Sequence, residues 1–364
     1  MDRHSILSSR QQRPSFSRRS GLLALALLVL VGCSSLTTRL PAPPQTPVDV
    51  IYDDDCDQDP DCAVTQPILH HWIDIGYAKV WGEVSSGHSQ LGAPTMRVFR
   101  DYYGHSSLFS IGAWTPGCAA TPSSTWNIAV VNKFDPGDTC TNYEPCQATL
   151  RRAIATFISQ GGNYRGIDYV ITGPLTCEEA FRQSPPDAIS SLSGAEMEQQ
   201  YIRQFVVMNG DVPSGKEYNC ITDLQACSTF FTEITSANGY PPVYVVPDNL
   251  GTTAVITKMP VASLPQSNPS AYAFTAAGVK STSDEDALAI EFAVFGLSGW
   301  EISGNSQNTV NLTSSANTWL TNVTVGQYYL MVPGDEQLFE QLLDPPWIPT
   351  DLQASGLLVS SQTQ

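Results

Sequence analysis

The stretch from 53 to 62, DDDCDQDPDC, carries six aspartates and two cysteines directly after the apolar run VDVIY at 48–52. Carboxylates this close repel one another unless something positive lies between them. Oxygen donors of this kind select hard cations, Ca²⁺ or Mg²⁺. An acidic turn in solvent would also satisfy the charges, but the position at the end of a strand favours a cation. An EF-hand does not fit, because Gly is missing at the sixth position of the loop and Glu at the twelfth. Three further stretches carry polar chemistry next to apolar runs: ITGPLT at 171–176, KEYN at 216–219 and SDEDALAI at 283–290.

These stretches need a scaffold, and the rest of the chain supplies a pattern for one. Apolar runs predict strands at 48–52, 127–132, 168–173, 203–208 and 242–247. Helical spacing predicts helices at 63–75, 91–104, 147–160, from Leu175, at 223–235 and at 283–296, with Ser283 as an N-cap. Strands alternating with helices give an α/β fold, with a mostly parallel open central sheet and helices on both faces. Ligands in such folds bind outside the carboxyl ends of the strands. The aspartate loop and ITGPLT both fall at such ends.

The 364 residues, 42% of them hydrophobic, suffice for one large domain, assigned here to 48–364. With 35 Asp and Glu against 18 Lys and Arg, the net charge of −17 repels phosphate backbones and excludes nucleic acid as a partner. Residues 1–32 read as an export signal whose apolar run, GLLALALLVLVGC, is short for a membrane span. The tetrapeptide Leu30-Val31-Gly32-Cys33 resembles the bacterial lipobox, which implies lipid attachment at Cys33 and a Ser/Thr/Pro-rich tether over 33–47. The expected location is the cell envelope, on the periplasmic side of the outer membrane.

Eight further cysteines, an even number in an exported chain, suggest disulfides, with 105 possible connectivities. Cys140–Cys146 and Cys220–Cys227 would close short loops. A zinc site is the weaker reading, since there is no CxxC pair and only five histidines. Asn311 and Asn322 each begin a glycosylation sequon.

Taken together, VIYDDDCDQDPDCA, ITGPLT, VVMNGDVPSGKEYNCITDLQAC (206–227), SDEDALAIEFAVFG (283–296) and QYYLMVPGDEQLFEQLLDPPW (327–347) resemble, in order, the motifs of the inosine-uridine nucleoside hydrolases. The resemblance implies hydrolysis of a ribonucleoside to base and ribose with one bound Ca²⁺, and a dimer or tetramer. Carried over, Asp55 would be metal ligand and general base, and Asp286 a metal ligand that also touches ribose. Thr172 would lend its carbonyl to the metal, and Asp59 would complete the ligand set. Asp61, Glu217 and Asn219 would bind ribose hydroxyls, Met208 would line the sugar pocket, and His88 stands where the family has a ribose-binding Asn.

Three departures stand out. Cys62 replaces an aspartate ligand, Asn209 a glycine, and Glu285 a His or Trp. Asp57 or Asp59 could make up the lost ligand, Cys62 could pair with Cys56 and pin the loop, or the site could be silent. The alternative function is therefore a binding or structural envelope protein that keeps the fold. An importer's binding lipoprotein fits less well, because no two-lobe repeat is present.

Overall fold

The structure is a computed structural model that describes residues 43–118, 123–251, 265–279, 282, 285–296 and 300–331. The signal segment, Cys33, most of the tether, Ser283 and the closing segment beyond Met331 lie outside the described residues.

The first strands in the chain are β1 (Val48–Asp54), β2 (Ala78–Ser85), β3 (Ser110–Ala113), β4 (Glu144–Pro145), β5 (Ile167–Ile171) and β6 (Ile202–Met208). They are followed by β7 (Ser214–Gly215), β8 (Val243–Val246), β9 (Glu301–Ile302), β10 (Ser306–Asn311), β11 (Ala316–Thr321) and β12 (Gln327–Met331). The sheet order is β4-β3-β2-β1-β5-β6-β8-β12-β10-β11-β7, with β9 paired to β12. From β4 to β12 the pairs along this order are parallel; β10, β11 and β7 extend the sheet antiparallel.

The helices are α1 (Cys62–Asp74), α2 (Gly92–Tyr102), α3 (Thr125–Phe134), α4 (Cys146–Ser159), α5 (Thr176–Arg182) and α6 (Gly194–Tyr201). After them come α7 (Tyr218–Thr222), α8 (Leu224–Glu233), α9 (Asp248–Gly251), α10 (Pro269–Ala277) and α11 (Glu285–Phe295). They cover both faces. Val50 and Tyr52 of β1 join one buried cluster with α1, α2, α3, α10 and α11. Ile51 joins the other, with α4, α5 and α8. Strands buried on both sides read as continuous apolar runs, which is why VDVIY, DYVITG and FVVM stand out in the sequence.

Two expectations are corrected. NIAVVN at 127–132 is not a strand but the middle of α3. Trp126, Asn127, Val130 and Val131 are its buried face, at helical spacing, and a short apolar run does not by itself separate a strand from a buried helix. Cys140–Cys146 does not form: Cys140 pairs with Cys118, and Cys146 with Cys177. Cys140 lies in the core on one face of the sheet and Cys146 in the core on the other, so they cannot meet. Cys220–Cys227 does form, and Cys56 pairs with Cys62. Strands β2, β3 and β10 to β12 were not among the predicted elements; β10 and β11 are short, largely polar strands at the antiparallel end.

β2 also carries a buried acid. A register shift between Val50 and Ile51 pairs Val50 with Val80 but Ile51 with Gly82. Gly82 lets α4 approach, since a Cβ there would stand 2.9 Å from the Ala153 Cβ. The next residue, Glu83, is fully buried, and among the described residues neither carboxyl oxygen has a hydrogen-bond partner. Burial pushes its carboxyl up to about 8, against the opposing pull of Arg100. A folded-state value above the unfolded one favours the folded chain fully below the unfolded value and loses that contribution as pH rises through the folded one. Stability is therefore expected to fall between about pH 5 and 8, by roughly 2 kcal/mol or more given ~1.4 kcal/mol per unit. In Glu83→Gln this fall flattens, as read by denaturant midpoints across the window; an unchanged pH profile would contradict the assignment.

Candidate active site

The chain leaves β1 toward β2, β3 and β4, then returns to place β5 on β1's other side. That reversal makes the carboxyl ends of β1 and β5 the switch point of the sheet, where a crevice must open. Asp53 and Asp54 close β1 and point to opposite faces. The Asp53 carboxylate accepts from the Tyr169 hydroxyl at 3.2 Å. The Asp54 carboxylate accepts from Gln66 Nε2 at 3.2 Å and from the Cys56 N–H at 3.1 Å. Both are fully buried, and burial raises both carboxyls above their ordinary range. Asp55 is the first aspartate past the edge of the sheet.

The backbone at Asp55 has almost no room to move. A Cβ on Gly173, just after β5, would stand 2.9 Å from the Asp55 nitrogen and 2.4 Å from Ser86 Oγ. A Cβ on Gly87 would stand 2.8 Å from the Asp55 carbonyl oxygen, and one on Gly92 would stand 2.5 Å from it. The next residue, Cys56, has φ +46°, a left-handed conformation that side chains other than glycine rarely adopt. Its carbonyl accepts from Asn127 Nδ2 at 3.3 Å. The loop then closes through the Cys56–Cys62 disulfide, and Asp61 caps α1 by accepting from the Cys62 N–H at 2.7 Å.

Above this loop lies a cavity of about 330 Å³. Its lining includes Asp55, Asp59, Asp61, Thr172, Met208, Glu217, Asn219 and Asp286. Gln58, Tyr218, Asp248 and Glu285 complete it. Seven of these twelve side chains are carboxylic acids and none is a cation. The electrostatics follow. Burial, then Asp54, Asp57 and Asp59, raises the Asp55 carboxyl well above its ordinary range. Burial, then Asp286 and Asp59, does the same to Asp61. Burial, then Asp54 and Asp55, does so to Asp286. Asp57, inside the loop, is pushed up to about 6 by burial.

The far wall is built from α7. Glu217 caps it, accepting from the N–H groups of Asn219, Cys220 (2.9 Å) and Gly210 (3.2 Å). Burial still pushes its carboxyl up to about 7. Asn219 donates through Nδ2 to the Thr172 carbonyl at 2.9 Å and to Met208 Sδ at 3.4 Å. Its Oδ1 is buried and has no hydrogen-bond partner among the described residues. The Thr172 hydroxyl bonds to the Tyr52 hydroxyl at 2.9 Å. Strand ends β1, β5 and β6 and the starts of α1, α7, α9 and α11 therefore converge on one space.

Among the described residues the donors around this space are mostly anionic oxygens, and Met208 Sδ already accepts from Asn219, which fits Ca²⁺ or Mg²⁺ and not a soft ion. The unpartnered Asn219 Oδ1 is an acceptor aimed at the same problem. Elsewhere, among the described residues, Asp54, Cys56 and Cys62 place three ligand atoms within 4.8 Å of one another. There the two sulfurs are bonded together and are not available as thiolates.

Of the site residues expected from the sequence, Asp55, Asp59, Asp61, Thr172, Met208, Glu217, Asn219 and Asp286 line the cavity; His88 and the alternative ligand Asp57 do not. His88 Nε2 instead hydrogen-bonds Thr176 Oγ1 at 3.2 Å, and its ring stacks near Trp114 at 6.5 Å between centroids. Gln58, Tyr218 and Asp248 were not singled out. Asp248 could have been: it directly follows the apolar run PVYVVP, as the aspartate loop follows VDVIY.

Similarity to known proteins lies in the fold. No protein-family model matches the chain, and no curated protein does. Solved structures do. A plant nucleoside hydrolase superimposes with a TM-score of 0.54 at 15% identity, over 81% of this chain and 98% of that one. The inosine-uridine preferring nucleoside hydrolase of Bacillus anthracis gives 0.56 at 12%, over 81% and 97%. The type III effector protein XopQ, solved with adenosine diphosphate ribose, gives 0.55 at 13%, over 87% and 95%. The chain has the nucleoside hydrolase fold.

The enclosure of Asp55 yields a test that needs no substrate. Gly173→Ala must push the loop or Ser86 aside, at a cost of roughly 1–3 kcal/mol by the usual scale of overpacking. Thermal melting is expected to register that loss. Gly304→Ala should leave the melting point unchanged, because that glycine is exposed, is not left-handed, and a Cβ there meets nothing within 4 Å. A Gly173→Ala chain as stable as the parent would show that the loop is not confined.

Proposed function

We propose that this protein hydrolyses the N-glycosidic bond of a ribonucleoside, or of a related ribosyl compound, to release ribose. The observation that carries the reading is that Asp55, Asp61, Thr172, Met208, Glu217, Asn219 and Asp286 share one cavity although they come from separate chain segments. Cleavage of such a bond passes through an oxocarbenium-like state, which a carboxylate-lined cavity stabilises. Asp55, its carboxyl raised above its ordinary range by burial and then by Asp54, Asp57 and Asp59, takes the proton of the attacking water. Asp61 and Asp286 face the hydroxyls of the sugar. Asn219 presents Oδ1 to a hydroxyl while the Thr172 carbonyl fixes its amide nitrogen. Met208 supplies the apolar wall.

A Ca²⁺ ion held by Asp55, Asp59, Asp286 and the Thr172 carbonyl would supply a bound water of lowered pKa. Ribosyl compounds other than simple nucleosides are included in the proposal, and the solution of one structural neighbour with adenosine diphosphate ribose supports including them. Four disulfides fit an oxidising, exported setting, and no helix among the described residues is long and apolar enough to cross a membrane. We assign the chain to the cell envelope, with Cys33 as its lipid anchor.

One observation favours a second reading, a silent envelope protein that binds but does not turn over. Cys62 is tied to Cys56, so no carboxylate stands at the first residue of α1.

The test is a reducing-sugar assay on mixed nucleosides with Ca²⁺, for the oxidised parent and for Asp55→Ala. Turnover is expected in the parent and a loss of at least about 100-fold in the variant, the usual size of a general-base contribution. Equal turnover in both would remove Asp55 from the mechanism. No ribose from the parent would leave the second reading standing.

A further inference from the structure

We infer that Cys56 and Cys62 are positioning residues, whose disulfide holds the carboxylates of the aspartate loop together in readiness for a cation. The inference rests on the reading of the cavity as a cation site and goes beyond it by naming what assembles that site.

The bonded pair closes a ring over six positions of sequence. Asp57, Asp59 and Asp61 lie inside the ring, and Asp55 immediately precedes it. Asp55, Asp59 and Asp61 all face the cavity. Their negative charges push against one another, so the loop on its own would open and swing its carboxylates into water. Two ends resist that. At one end Cys56 is held in a left-handed backbone conformation, its N–H on Asp54 and its carbonyl on Asn127. At the other end Cys62 is the first residue of α1, whose buried face belongs to the core. Both cysteines are 0% exposed and sit in that same core, so the ring is anchored in the fold and not hung from the surface. A covalent link between a core-anchored turn and a core-anchored helix leaves the intervening carboxylates few ways to separate. Order is thus present before the ion arrives, and less of it has to be imposed on binding.

The Cys118–Cys140 bridge supplies a control. It closes a longer span, 22 positions, and neither residue lines the cavity.

The experiment compares the oxidised full chain with Cys56→Ser/Cys62→Ser and with Cys118→Ser/Cys140→Ser. Ca²⁺ is titrated calorimetrically, and amide hydrogen exchange is followed over 53–66 in metal-free buffer. In the first variant, Ca²⁺ affinity should fall at least 10-fold and exchange should accelerate over 53–66, with α4 and α8 protected as before. The second variant should melt earlier yet bind Ca²⁺ like the parent. Parent-like Ca²⁺ affinity in the Cys56→Ser/Cys62→Ser chain overturns the inference, as does equal loss of affinity in both variants. If the parent binds no Ca²⁺, the functional reading falls, and exchange alone decides here: loss of protection confined to 53–66 upholds the positioning role, and retained protection overturns it.

Discussion

Like charges held close against their own repulsion set the terms for this structure. Burial raises the carboxyls of Asp55, Asp61 and Asp286, and neighbouring carboxylates raise them further: Asp54, Asp57 and Asp59 act on Asp55, Asp286 and Asp59 on Asp61, and Asp54 and Asp55 on Asp286. Such a cluster survives in a fold only if the backbone beneath it cannot relax. The parallel sheet provides the first fixed point, by ending β1 and β5 side by side at the place where the chain reverses direction. Three glycines provide the second, because their missing side chains let neighbouring segments close on the Asp55 backbone. The disulfide and the cap of α1 provide the third.

The other bridges follow the same geography. Cys146–Cys177 ties α4 to α5, which begins just after the Thr172 turn. Cys220–Cys227 ties α7, which carries Asn219, to α8. Three of the four disulfides therefore brace segments that face or adjoin the cavity. A small ring such as Cys220–Cys227 restricts the unfolded chain by only a modest loop entropy, so its local rigidity is the larger effect near a site. The hydrogen-bond pattern agrees, since Glu217 and Asn219 use most of their polar atoms on backbone and leave Asn219 Oδ1 as the spare acceptor.

Much of this was legible in the sequence, for physical reasons that differ by residue. VDVIY and DYVITG are buried on both faces, so their apolar runs are continuous and unmistakable, and polar residues at their ends mark the switch point. NIAVVN misleads because six residues do not distinguish a strand from one buried face of a helix. The polar strands β10 and β11 carry little hydrophobic signal, since they extend the sheet at its antiparallel end. Disulfide pairing stayed closed because it depends on which face of the sheet each cysteine reaches. His88 shows the limit of matching by position: its loop passes near the site, but its ring is engaged by Thr176 and Trp114.

The glycine enclosure around Asp55 separates two kinds of inheritance. Gly87, Gly92 and Gly173 are demanded by the path of the main chain, whatever the side chains of the loop do. The carboxylates are demanded only by the chemistry. Under the proposed function, descendants of this chain without the hydrolysis would be free to trade Asp55, Asp59 or Asp61 for other residues, yet would lose stability on replacing any of the three glycines. Descendants with the proposed hydrolysis would be held to both sets. Among diverged relatives, the glycines thus record common architecture and the acids record common work, and a chain that retains one without the other declares which of the two it has lost.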